Sequence, residues 1–185
     1  MTETTRWVVL LRGINVGGHR KVPMSELRQM ATELGYTDVS TYVNSGNLMG
    51  KKATSAAEAG AEFESALLET FGFEVDVVVR SAEQIAAIAG AEAFPVARAE
   101  RPNLLHVVFS HAPATPEAVA SIQGYLSDNE RAERVGEEVW VDYADGSARS
   151  KVTHDVLKRA LGGVATSRNF RTVRKLAGLV ADSSK

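Results

Sequence analysis

Trp7-Val8-Val9-Leu10-Leu11-Arg12-Gly13-Ile14-Asn15-Val16-Gly17-Gly18-His19-Arg20-Lys21-Val22-Pro23 is the stretch on which the fold turns. Its first five residues are continuously apolar, as in a buried strand. A polar segment with three glycines follows. Met24, Leu27, Met30, Ala31 and Leu34 then recur at helical spacing, and Gly35 ends the helix. Pro23 fits the first turn of that helix, where a missing N–H does no harm. Strand, glycine loop and helix in this order aim backbone N–H groups of Gly17 and Gly18 at an anion. Arg12, His19, Arg20 and Lys21 surround them with cationic or hydrogen-bonding side chains. The glycines fit neither G-x-G-x-x-G nor the phosphate loop that ends in Gly-Lys-Ser/Thr, and a tight turn alone would also account for them.

Outward from this stretch the pattern continues in order. Asp38–Val43 and Asn47–Met49 read as paired strands around the turn Asn44-Ser45-Gly46. Ser55 and Glu58 form a capping box for a helix that buries Phe63, Ala66 and Leu67 and closes at Gly72. Val75, Val77 and Val79 alternate as a strand, and Ser81 with Gln84 opens another helix. Residues 91–102 read as a linker with Pro95 and Pro102. The same order then returns: a strand at Leu104–Phe109, and a helix capped by Thr115 with Pro116 behind it. A hairpin follows around Gly136, then a helix over Lys151–Leu161, a strand at Val164–Ser167 and a last helix over Asn169–Ala181. The expected class is α+β, a tandem pair of ferredoxin-like β-α-β-β-α-β halves at residues 1–90 and 103–185. The repeat lies in element order and not in residue identity.

Composition sets the outer bounds. The 185 residues are 44% hydrophobic and 24% charged with a net charge of −2, which suits an ordinary globular protein. No apolar run reaches the roughly 20 residues of a membrane span, and Met1-Thr2-Glu3-Thr4-Thr5 lacks a secretory pattern. Cytoplasmic residence is the expectation. Cysteine is absent, so disulfides and thiolate metal sites are excluded. The charge is uneven: residues 149–175 carry net +7 and residues 55–101 net −6. A basic stretch of this kind suits an anionic partner, although solvated helix faces give the same count.

Further motifs lie in both halves. Asn44-Ser45-Gly46-Asn47 suits a polar loop lining a site, and Ser45 is not in a nucleophile elbow. Ser150-Lys151 places a hydroxyl and an ammonium at an expected helix start, and Thr166-Ser167-Arg168-Asn169 precedes the last helix. His19, His106, His111 and His154 have no metal-ligand spacing, so no metal is expected. RNA-recognition domains share the element order but stack bases on strand aromatics. Asn47-Leu48-Met49 has none, and Trp140 and Tyr143 alternate to opposite faces, so a nucleic-acid role has no motif behind it.

Leu10 through Gly18, followed by Lys21-Val22-Pro23-Met24, resembles the opening motif of a widespread bacterial family of unknown function. The blocks Thr41-Tyr42-Val43-Asn44-Ser45-Gly46-Asn47, Ser150-Lys151 and Thr166 through Leu176 are similar to the family's later motifs. Asn44 stands where the family usually has glutamine, Phe170 where tryptophan is usual and Gly50 where an aromatic is common. The resemblance implies tandem ferredoxin-like halves and brings no activity with it.

The functional expectation is therefore a binder of an anionic small molecule or nucleotide, without a cofactor, in a cleft between the halves. Its candidate residues are Arg12, Asn15, Gly17, Gly18, His19, Lys21, Asn44, Ser45, Asn47, Ser150, Lys151, Thr166, Arg168, Asn169 and Lys175. An enzyme on such a ligand with His19 as acid or base, and a structural or partner-binding module, are the alternatives. Arg168→Ala is expected to weaken binding at little cost in stability, and Arg171→Ala to change neither.

Overall fold

A computed structural model describes residues 3–182; Met1, Thr2 and residues 183–185, which end the two expected halves, lie outside it. It is a mixed α+β protein of two four-stranded antiparallel sheets and seven helices among the described residues. The chain divides into two units. One gathers residues up to Ile85 with those from Leu176 onward, and the other holds Ala86–Lys175.

The first unit contains β1 (Thr5–Leu11), α1 (Met24–Glu33), β2 (Thr37–Tyr42), β3 (Asn47–Lys52), α2 (Ala56–Phe71) and β4 (Val77–Ser81). The strand order is β2-β3-β1-β4. Val9 lies opposite Leu48 of β3 on one side and Val79 of β4 on the other. Trp7, Val9 and Leu11 alternate onto the sheet face that meets Leu27, Met30, Phe63 and Leu67 of the two helices. Each such side chain contributes about 1.5–3 kcal/mol by leaving water. The expected capping box is present: Ser55 Oγ accepts from the Glu58 N–H at 3.2 Å, and the Glu58 carboxylate accepts from the Ser55 N–H at 2.9 Å. Gly72 ends α2 with φ 77°.

From the first unit, α3 (Ala82–Gly90) leads into the second. There follow α4 (Pro95–Glu100), β5 (Leu105–Ser110), α5 (Pro116–Gln123), β6 (Arg131–Val135), β7 (Glu138–Asp142), α6 (His154–Ala160), β8 (Ala165–Asn169) and α7 (Phe170–Asp182). The strand order is β6-β7-β5-β8, the same arrangement as in the first sheet. Val108, Val139, Val141 and Ala165 face Val119, Ile122 and Leu157 of α5 and α6. On the opposite face Trp140 packs between Phe94, stacked at 6.4 Å, and Phe170 at 5.3 Å.

Several boundaries differ from the sequence reading. Pro23 is the residue before α1 (φ −63°, ψ 134°) and not its first helical residue. Residues 95–100 of the expected linker form α4. The helix expected from Lys151 begins at His154, because Thr153 takes the capping role and accepts from the Val156 N–H at 3.4 Å. Asn169 closes β8, and its side chain accepts from the Thr172 N–H at 2.9 Å to cap α7.

Candidate functional site

In the first unit two sequence motifs meet. The β1–α1 connection, residues 12–23, folds over the β2–β3 turn, residues 43–46. Asn15 ties them: its amide donates to the Asn44 carbonyl at 2.8 Å and to the Val22 carbonyl at 3.0 Å, and its oxygen accepts from the Val22 N–H at 2.9 Å. Ile14 and Val22 anchor the connection in the core. Gly46 makes the approach close: its carbonyl accepts from the Leu11 N–H at 2.8 Å, and a Cβ there would lie 2.7 Å from the Leu11 Cβ. Asn47 is buried and donates to the Tyr42 carbonyl and to Ser45 Oγ.

The backbone here is unusual. Asn15, Arg20 and Val43 adopt φ of 55°, 51° and 50°. Left-handed backbone is tolerable for asparagine and strained for a β-branched valine. Strain of this kind persists where surrounding contacts enforce it and gathers at functional sites. Val16 and Val43 are exposed beside it.

The glycine loop differs from its expected form. Gly17 and Gly18, with φ of 59° and 77°, are the central pair of a tight turn closed by the His19 N–H on the Val16 carbonyl at 3.1 Å. They form an exposed hairpin tip and not a cradle at the start of α1, whose first turn carries Glu26. A carboxylate there opposes a bound anion. Two of the loop's cations are engaged: Arg12 pairs with Asp76 at 2.7 Å, and Arg20 donates to the Glu74 carbonyl and lies over Phe73. His19 and Lys21 are exposed on the same loop.

In the second unit the motif residues spread differently. Ser150 Oγ accepts from the Val152 N–H at 3.0 Å, which turns the chain ahead of α6, so Ser150 and Lys151 do not start that helix. Lys151 is exposed, as are Lys175, Arg171 and Arg174 on α7. Arg168 is buried on β8 opposite Val107 and donates to Thr166 Oγ at 2.9 Å and to the Ser167 carbonyl at 2.8 Å. Burial pushes its guanidinium down to about 10, so it stays charged at neutral pH. Because it is buried and bonded, its truncation bears on stability, contrary to the simple expectation above.

The segments at residues 152–154 and 165–167 line one cavity of about 200 Å³, together with His106 and Tyr143. Sequence reasoning set His106 aside, since nothing in its local spacing marks it. Register brings it there: His106 lies opposite Asn169 on the face it shares with Val108. Its ring stands at 85° to the Tyr143 ring, 5.0 Å between centroids. Burial lowers the His106 pKa, with a hydrogen bond to the Asn103 backbone opposing in part, and burial raises the Tyr143 hydroxyl to about 12. A larger cavity of about 690 Å³ lies between α4 and the β6–β7 strands, beside the Arg101–Asp142 ion pair. No group of three or more His, Asp or Glu side chains is placed to hold a metal among the described residues. Trp140 and Tyr143 are both buried and present no ring for base stacking.

Both units thus carry one strand order with different connections built on it. Residues 4–140 match the family described as "Protein of unknown function (DUF1697)", and the chain belongs to that family. The match ends before Ser150-Lys151 and the Thr166–Leu176 block. In fold the chain is similar to a solved conserved bacterial protein from Streptococcus pneumoniae. The two share 25% identity over 96% of this chain and 99% of that one, with a TM-score of 0.72. No curated protein matches the chain. No helix among the described residues is long and apolar enough to cross a membrane.

Proposed function

We propose that the chain binds a phosphate-bearing anion, a nucleotide or phosphorylated metabolite, and holds it at loop 12–23. One observation carries this reading. Residues 12–23 join the first strand to its helix in the first unit, whereas residues 111–115 do the same work in the second. A strand-to-helix connection ordinarily needs about 2–6 residues. The surplus in the first unit contains Arg12, His19, Arg20 and Lys21 and no carboxylate, and a loop elaborated on a rigid scaffold is where binding residues concentrate. The tandem ferredoxin-like arrangement belongs to the same reading, supported by the shared strand order.

The test is a thermal-shift and calorimetric screen of pyrophosphate, nucleotides and phosphorylated sugars. A ligand at 100 times its Kd adds about 2.7 kcal/mol of stability. Lys21→Ala should weaken binding about tenfold, the low end of a hydrogen bond to a charged group, while Arg131→Ala on the exposed β6 edge leaves it unchanged. Absence of any stabilising ligand, or equal affinity in Lys21→Ala, defeats the proposal.

A further inference from the structure

The second unit's small cavity has a chemistry unlike that of the glycine loop. It holds about 200 Å³, several times the roughly 30 Å³ that a water molecule occupies in the liquid. Its polar lining consists of His106, Tyr143, Ser147, Thr153, His154 and Ser167, alongside Thr166, and no Asp, Glu, Lys or Arg lines it. A site without a carboxylate, ammonium or guanidinium group has no fixed counter-charge for a phosphate or an ammonium group, and taking an ion into it would be costly.

The bonding capacity of the lining is mixed. Thr153 Oγ already accepts the Val156 N–H, which leaves its hydroxyl proton to donate. The Tyr143 hydroxyl donates to the Val152 carbonyl at 3.5 Å, which leaves its oxygen to accept. His106 directs one ring nitrogen to the Asn103 backbone, so in the neutral imidazole the other nitrogen accepts. Ser147 is exposed and marks the entrance. Donors and acceptors without charge match groups that both give and take hydrogen bonds, which are hydroxyls. The perpendicular rings of His106 and Tyr143 add apolar surface suited to the C–H groups between them.

We infer that this cavity is a binding site for a small neutral polyhydroxylated molecule, a sugar or polyol of pentose size or smaller. The inference stands independently of the anion proposed for loop 12–23.

The experiment is an NMR titration of the full-length chain, following the imidazole C–H signals of His106 and His154. D-ribose, D-xylose, glycerol and, separately, inorganic phosphate serve as probes. The expected result is a saturable shift of the His106 signal with at least one neutral probe, with a Kd in the millimolar range. Ser167→Ala should weaken it several-fold. Ser147→Ala, at an exposed position where folding is not at risk, should weaken it as well and so keeps the inference testable if Ser167→Ala folds poorly. A shift linear in every probe means solvent alone fills the cavity and overturns the inference. Phosphate moving the same signal at lower concentration than any sugar overturns the neutral character of the ligand. Unchanged binding in Ser147→Ala overturns the location.

Discussion

The two units differ in where they lengthen the same framework. In the first, residues 12–23 follow the first strand and residues 43–46 join the hairpin, but only residues 53–55 follow the third strand. In the second, residues 111–115 and 136–137 make the first two connections, and residues 143–153 follow the third strand. Neither long connection is required by the sheet, since the other unit closes the same strand order without it. Each brings its own chemistry: an exposed cationic loop in one case, an uncharged hydroxyl-lined cavity in the other. The framework sets where loops emerge, and the loops set what they meet.

The sharpest way to break this comparison is at the two hairpin turns. Gly46 (φ 87°) has the Leu11 Cβ at 2.7 Å and the Ile14 Cδ1 at 2.9 Å from a would-be Cβ, whereas Gly136 (φ 63°) has nothing within 4 Å. Gly46→Ala therefore adds overpacking to left-handed strain and should destabilise by about 3 kcal/mol or more. Gly136→Ala carries the backbone term alone, about 1 kcal/mol. Urea unfolding of both variants checks this; equal losses would mean that the first hairpin is not pressed against loop 12–23.

Asn15 comes next. In the first unit a side chain joins the two connections, while in the second the Ala114 N–H donates to the Glu137 carbonyl at 2.8 Å, backbone to backbone. Asn15→Ala removes three hydrogen bonds, strands the Val22 N–H and places alanine at φ 55°. A loss of about 2 kcal/mol is expected. Ligand response at loop 12–23 should fall with it, because the loop is no longer held. Retained stability in Asn15→Ala would show that Ile14 and Val22 alone fix the connection.

The element order was legible in the sequence because local periodicity and caps agree with the tertiary fold. Val9 and Leu11 alternate, Leu27 and Met30 repeat at helical spacing, and Ser55 with Glu58 forms the expected box. Misreadings arose where two local signals compete. Ser150 and Thr153 both offer capping hydroxyls, and Thr153 prevails. Pro95 reads as a linker residue, yet it starts α4 behind a left-handed Phe94. Gly17 and Gly18 suit a phosphate cradle or a tight turn equally by type, and only the Val16–His19 closure decides between them. Of the candidate site, Asn15 and Asn44 were each singled out by motif, and the hydrogen bond between them was not legible. The His106 cavity was not legible at all: its walls come from β5, β8 and the segment before α6, and residues so distant carry no shared local period.

His106 supplies a pH-dependent contrast with the first unit. Burial holds its folded pKa below the unfolded value of about 6.5. As pH falls through that value the unfolded chain takes up the proton before the folded one. Stability therefore drops from about pH 6.5 downward and levels off once the folded group has also titrated. His106→Gln stays neutral throughout and should lose less stability between pH 7 and pH 5 than the parent chain. An identical acid loss in both proteins would show that His106 is not desolvated.

The smallest effect on stability is also the most direct test of what loop 12–23 is for. Arg12 and Asp76 meet at 2.7 Å, with about a third of each side chain exposed. A pair of this kind is screened by water and salt, and its coupling in a double-mutant cycle should be about 0.2–1 kcal/mol. If Arg12 serves only the fold, Asp76→Asn removes that small term and does nothing else. If Arg12 serves an anionic ligand, Asp76 competes for the same guanidinium. Asp76→Asn should then strengthen phosphate binding several-fold while slightly lowering stability, and Arg12→Ala should abolish the gain. The effect should shrink in high salt, as both interactions are screened. Unchanged affinity in Asp76→Asn assigns Arg12 to the fold and leaves His19 and Lys21 as the loop's ligand-facing groups.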